Sequence, residues 1–161
     1  MSSSPKKSKH KKRIELPMIG WREWLVLPDL GIKFVKAKID TGARSSSLHA
    51  FDVEFFVHES SPWVRFKVNP IQRNEKWVVE ASSPVIDQRE IRSSSGETQL
   101  RPVIKTPIVL LGTRFEIELT LADRNQMGFR MLLGREAFRR RFLIDPGASY
   151  LGGVPKRRKS Q

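Results

Sequence analysis

Along most of the chain apolar and polar positions alternate with a period of two, or gather into short apolar runs closed by turn residues, which is the signature of strands rather than helices. On that period residues 21–27 and 32–39 form two strands joined across Pro28-Asp29-Leu30-Gly31, a hairpin leading directly into Asp40. Residues 47–51, 53–58 and 63–68 read as further strands, the last two connected by Glu59-Ser60-Ser61-Pro62, and 77–80 adds another. Residues 108–111 and 115–121 flank a Gly112-Thr113 turn, and 129–133 runs into Gly134. Only 135–141 reads as a short helix, after which 142–144 returns as a final strand ended by Pro146-Gly147. The pattern predicts an all-β fold, a small closed or partly closed β-barrel with one short C-terminal helix. Residues 89–101 have a different character, with few apolar anchors and a polar tip at Ser95-Gly96. Weak burial of this kind suits a mobile hairpin or an ordinary surface hairpin.

Length and composition change this picture little. At 161 residues and 39% apolar content the chain can build one domain with a modest core. No stretch of eighteen apolar residues is present, so no membrane helix is expected, and the basic, Ser-rich N-terminus lacks the apolar region of a secretory signal. The absence of Cys fits a reducing compartment, and a cytoplasmic protein is the expectation.

Charge adds more once it is divided along the chain. The net charge is +13, but residues 1–13 carry six Lys or Arg and 156–161 carry four, with no acid in either stretch. The expected organisation is a basic disordered N-terminal tail over 1–17, a folded domain over 18–153 and a basic C-terminal tail over 154–161. Such arms suit salt-dependent contact with RNA, a ribosome surface or an acidic peptide, or serve as solubilising tails without a specific partner.

The candidate chemistry lies in two separated motifs. Ile39-Asp40-Thr41-Gly42-Ala43 follows an apolar run, and ninety residues later comes Met131-Leu132-Leu133-Gly134-Arg135. An Asp acting as general base must be held within hydrogen-bond reach of a water. Gly42 permits turn conformations that a side chain forbids, the Thr41 hydroxyl can anchor the loop, and the small Ala43 leaves room for substrate. Peptide hydrolysis by this route needs one ionised and one protonated acid, and two close Asp side chains share a proton because both cannot ionise cheaply. A degenerate echo of the motif, Asp145-Pro146-Gly147-Ala148, reads instead as a strand ended by a Pro-Gly turn. The second Asp is then the Asp40 of another copy across a two-fold axis, so the enzyme reading predicts a homodimer.

With these residues assembled, Asp40-Thr41-Gly42-Ala43 and Leu132-Leu133-Gly134-Arg135 resemble the two signatures of the retropepsin-like aspartic proteases. The similarity is broader to one bacterial branch, customarily labelled ATP-dependent zinc protease. It runs from Ile19-Gly20-Trp21-Arg22-Glu23-Trp24 through Ala37-Lys38-Ile39-Asp40-Thr41-Gly42-Ala43-Arg44 to Phe129-Arg130-Met131-Leu132-Leu133-Gly134-Arg135 and Asp145-Pro146-Gly147. The label's zinc and ATP find no support in the residues. His10, His49 and His58 are the only histidines, Pro62 stands where a second His after His58-Glu59 would fall, and no loop ends in Gly-Lys-Ser or Gly-Lys-Thr. No metal or other cofactor is expected, and His49 and Asp52 read as polar strand residues or an adventitious metal site.

The resemblance implies an aspartic peptidase with Asp40, Thr41 and Gly42 as the catalytic motif. Substrate would meet Ala43, Arg44, Arg130, Leu132, Leu133 and Gly134, together with Arg92, Ser94, Ser95 and Gly96 on a flap formed by the 89–101 hairpin. Family members are associated with an ATP-grasp ligase that adds glutamates to a ribosomal protein tail, which implies an acidic or glutamate-tailed substrate. Arg44, Arg89, Arg92, Arg101, Arg130 and Arg135 are forks suited to carboxylates, and Arg135 would equally hold the loop by pairing with an acid of its own subunit. The chain departs from retroviral members in placing Arg44-Ser45-Ser46 where those carry acidic residues. The alternative is a catalytically silent retropepsin-like domain serving a glutamate ligase or a ribosomal partner.

Overall fold

The computed structural model describes residues 15–72, 74–92, 95–123 and 128–156. The two-residue alternation becomes eleven strands among these residues: β1 (Met18–Leu27), β2 (Ile32–Ile39), β3 (Ser46–His49), β4 (Phe51–His58), β5 (Ser61–Val68), β6 (Val79–Pro84), β7 (Asp87–Arg92), β8 (Thr98–Leu110), β9 (Thr113–Ala122), β10 (Met131–Leu133) and β11 (Leu143–Ser149). One helical turn, α1 (Arg135–Phe138), lies between β10 and β11, and a 3-10 turn at Pro28–Leu30 joins β1 to β2. Among the described residues no helix is long and apolar enough to cross a membrane.

Eight strands form one sheet in the order β11-β1-β2-β10-β3-β9-β8-β7. A further pairing of Val26 on β1 with Val109 on β8 brings the sheet back on itself, giving a partly closed barrel from which β11 and β7 extend. The three-stranded sheet β4-β5-β6 lies on the same core through Val64, Phe66 and Val68. Inward positions of the strands supply that core, including Leu25, Leu27, Val35, Leu48, Ile104, Ile108, Leu119, Met131 and Leu133. The expected all-β, partly closed barrel with one short helix is the fold observed.

Several element boundaries differ from the reading of the pattern. The strand expected at 108–111 is the end of β8, which begins at Thr98 and carries Pro102 and Pro107. Pro interrupts a ladder only where its N–H is needed. Pro102 pairs with Gln88 of β7 and Pro107 with Glu116 of β9, so neither half of β8 is laddered along both edges at its proline. The helix expected over 135–141 stops after one turn at Phe138. The last strand does not end at Pro146-Gly147 but continues to Ser149, paired in parallel with β1.

β1 carries a residue of unusual placement for its type. Glu23 points into the core side of the strand and is completely buried. Its carboxylate accepts the N–H groups of Gly20 at 2.7 Å, Leu151 at 2.9 Å and Gly152 at 3.0 Å. A buried carboxylate must be satisfied by donors, and here those donors fasten the segment after β11 onto β1.

Candidate active site

The Asp40 loop begins where β2 ends, and β10 is the strand that holds it. Short β10 runs between β2 and β3, parallel to the first with Leu133 opposite Ile39 and antiparallel to the second with Met131 opposite Leu48. Asp40 continues this pairing by donating its N–H to the Leu133 carbonyl at 2.9 Å. Its side-chain Oδ1 accepts the Gly42 N–H at 2.9 Å, which fixes one carboxylate oxygen, and Ala43 N–H closes the turn onto the Asp40 carbonyl at 3.3 Å. Gly42 does not take a left-handed conformation. Its role is spatial, since a Cβ there would stand 3.2 Å from that same Asp40 oxygen.

The segment after β10 grips the loop from the other side. Arg135 and Glu136 donate their N–H groups to the carbonyls of Ala43 and Arg44 at 2.8 and 3.1 Å, and Gly134 N–H reaches Ser46 Oγ at 3.0 Å. A Cβ on Gly134 would come within 2.5 Å of the Ser45 carbonyl oxygen, so only glycine allows this approach. Arg135 Nη1 donates to the Thr41 carbonyl at 2.9 Å. Arg135 therefore holds the loop through backbone rather than through an acid, and Thr41 is anchored by its carbonyl rather than by its hydroxyl. Asp40 is half-buried, while Thr41 and Gly42 are exposed.

Beside the loop lies a hollow of about 530 Å³ lined by Arg44, Arg89, Lys105, Glu116, Glu118 and Glu136 among others. Arg89, on β7, donates to Ser45 Oγ at 3.1 Å and Thr120 Oγ1 at 3.3 Å and lies 3.7 Å from Glu118. Lys105 faces Glu116 at 3.8 Å, whereas Arg44 makes no ion pair among the described residues.

A profile of the RimB-like family, described as retropepsin-like aspartic endopeptidase RimB, matches residues 18–154. The chain belongs to this retropepsin-like family. It is also similar to proteins from Shewanella pealeana and Desulfotalea psychrophila, each named probable alpha-L-glutamate ligase and each 46% identical to it, over 136 and 140 residues. These matches cover 84% and 86% of this chain and 30% of each relative, so the chain spans under a third of the length of the curated relatives. A solved structure from Legionella pneumophila, of a protein with unknown function, superposes with a TM-score of 0.69 at 25% identity, covering 84% of this chain and 98% of that one.

In this RimB-like chain the expected site residues fall into three groups. Asp40, Thr41, Gly42, Ala43, Arg44, Leu132, Leu133 and Gly134 come together around the loop. Arg92, Ser95 and Gly96 sit exposed at the far end of the β7–β8 hairpin, where Gly96 takes φ 87°, and Ser94 lies outside the described residues. Arg130 is elsewhere. It precedes β10 at the end remote from Asp40, and its carbonyl accepts the His49 N–H at 2.8 Å. His49 is buried there, with Asp123 at 3.9 Å. Burial first, and then the Arg130 guanidinium, hold the imidazole below its ordinary pKa, against the upward pull of Asp123 and of the Ala122 backbone.

The echo motif reproduces the turn but not the place. Asp145 Oδ1 accepts the Gly147 N–H at 2.9 Å, as Asp40 does with Gly42. The sheet order β11-β1-β2 nevertheless puts all of β1 between it and the strand that leads into Asp40, about 10 Å at ordinary strand spacing. Among the described residues no group of three or more His, Cys, Asp or Glu is placed to hold a metal ion. Asp52 is engaged with Lys67 at 3.2 Å. The Arg89 anchor to Ser45 and Thr120 and the Glu23 clamp were not legible as such, since each depends on residues distant in sequence meeting one side chain.

Proposed function

We propose that the chain is an aspartic-type peptidase whose dyad forms between Asp40 and the Asp40 of a second copy, and that it hydrolyses acidic or glutamate-tailed peptides. The observation that carries the reading is the Asp40 loop, a carboxylate with one oxygen fixed by Gly42 N–H and its backbone clamped by Leu133 and Arg135. Such bracing gives the positioning that general acid-base chemistry requires. One ionised Asp40 takes a proton from water while its protonated twin donates to the scissile carbonyl, and the close like charges keep the single proton on the pair. The exposed Thr41 and Gly42 supply the surface across which two copies meet.

The hollow beside the loop supports an anionic substrate. Arg44 adjoins it without a carboxylate partner among the described residues, and Arg89 is already oriented by Ser45 and Thr120. The name of the relatives refers to proteins of which this chain matches 30%, and it supports glutamate chemistry as the setting of this domain. The β7–β8 hairpin, tied at its base to the loop by Arg89, is the element suited to closing over a bound peptide.

The test is mass-spectrometric cleavage of a mixed peptide library containing oligo-glutamate tails, by wild type and Asp40→Asn, with and without chelator. We expect cleavage that disappears in the variant, ignores chelator and rises in specific activity with enzyme concentration. Chelator-sensitive cleavage surviving in Asp40→Asn would overturn the mechanism, and no cleavage by either form would favour a silent binding domain.

A further inference from the structure

The outward face of β1 and β2 gathers aromatic rings and cations in one place. None of the ion pairs among the described residues involves Arg22, Lys33, Lys36, Lys38 or Lys76. Two of these cations lie against aromatic rings instead. The Arg22 guanidinium is 4.7 Å from the Trp21 ring centre and 4.8 Å from that of Tyr150, and Lys36 Nζ lies 5.8 Å from Trp24 and 5.5 Å from Phe129. The rings also touch one another: Trp77 and Phe34 at 5.3 Å, Phe34 and Trp24 at 5.7 Å, Trp21 and Phe129 at 5.8 Å, Trp24 and Tyr150 at 6.3 Å. Rings and cations thus form one continuous band of half-buried aromatic surface.

Two hollows flank Phe34 in this band. One, of about 600 Å³, is bounded by Lys33, Phe34, Lys76 and Trp77; the other, of about 420 Å³, by Trp24, Lys33, Phe34, Val154 and Pro155. Both are large enough to take a nucleotide-sized group. The chain that walls the second leads in sequence directly to Lys156, Arg157, Arg158 and Lys159.

The combination selects among ligands. Cations without carboxylate partners favour an anion, while ring faces favour flat groups that stack. An acidic peptide would satisfy the cations and leave the rings unused. An apolar helix would cover the rings and force the cations out of water without partners. A nucleic-acid duplex hides its base faces, whereas a single strand offers both bases and phosphates. We propose that this face binds single-stranded nucleic acid, with bases stacking at Phe34, Trp24 and Trp77 and with Lys33, Lys36 and Lys76 against the phosphates. Phe34 precedes Asp40 by six residues, mostly along an extended strand, about 20 Å at the usual rise, so the face is separate from the peptidase reading.

The test is fluorescence anisotropy of the full chain with labelled oligouridine, oligothymidine and a hairpin duplex, using poly-L-glutamate as competitor and tryptophan emission as a second readout. Both single strands are expected to bind about tenfold or more tighter than the duplex and to quench tryptophan emission. Phe34→Leu, and separately the exposed pair Lys33→Glu with Lys76→Glu, should each weaken binding about tenfold while circular dichroism stays unchanged. Asp40→Asn should bind as wild type does. A full-length variant with its tail Lys and Arg replaced by Gln should bind more weakly yet still prefer single strands. Binding that vanishes with the tail charges and ignores both face variants would overturn the proposal, as would equal affinity for duplex or full displacement by poly-L-glutamate without quenching.

Discussion

Arg135 Nη1 donates to the Thr41 carbonyl at 2.9 Å, joining two residues ninety-four positions apart and pulling the turn after β10 onto the turn after β2. The guanidinium is exposed, so the bond adds little to global stability, but it restrains the peptide next to Asp40. Arg135→Ala is therefore expected to leave the melting temperature within about 2 °C of wild type. Library cleavage should fall about tenfold or more as the Asp40 loop loses its geometry. Thermal melts beside cleavage rates check the pair of outcomes, and equal loss of both would show a purely structural role.

Gly134 supplies the close approach that makes the clamp possible. In Gly134→Ala the added carbon would meet the Ser45 carbonyl at 2.5 Å, against backbone that cannot swing aside like a flexible side chain. Relieving this overlap must shift the 44–46 backbone, at a cost of about 1–3 kcal/mol. Urea denaturation should show the midpoint falling with an unchanged slope, and an unchanged midpoint would contradict the packing described.

Glu23 should be among the most sensitive positions. Glu23→Ala strips the acceptor from the N–H groups of Gly20, Leu151 and Gly152, two of them beyond β11. The Gly20 bond is buried, whereas Leu151 and Gly152 are exposed residues to which water has access. One buried donor left unpaired costs about 1–3 kcal/mol, so a loss of about that size is expected, with Glu23→Gln milder because one acceptor oxygen remains. Hydrogen exchange should speed up first at Leu151 and Gly152.

His49 predicts a pH dependence. Its folded pKa lies below the ordinary value of 6.5 because burial and Arg130 oppose the charge. The unfolded chain therefore binds the proton first on acidification, and the stability present above the unfolded pKa is lost as pH falls from about 6.5 through the folded value. Wild type should melt lower at about pH 5 than at about pH 7.5, and His49→Gln should flatten that part of the difference. A slope unaltered by the substitution would assign it to other groups.

The sequence by itself determined the strand content and the all-β class, because a period of two and a turn residue are local properties written in residue type, while the pairing of two motifs across ninety residues followed from the family resemblance they carry. Alternation marked β1, β2 and β5 closely, whereas β8 was read short, since Pro102 and Pro107 resemble breaks until the ladder shows which edge each occupies. Membership of Asp40 and Gly134 in one site was legible. The bonds that unite them were not, being backbone contacts whose donors and acceptors look alike in every residue. Tertiary structure alone decided that Arg130 sits beside His49 instead of Asp40, that Asp145 is held a strand away, and that Arg22 and Lys36 lie among aromatic rings. Such outcomes depend on register and on strands distant in sequence, and a one-residue slip sends a side chain to the opposite face.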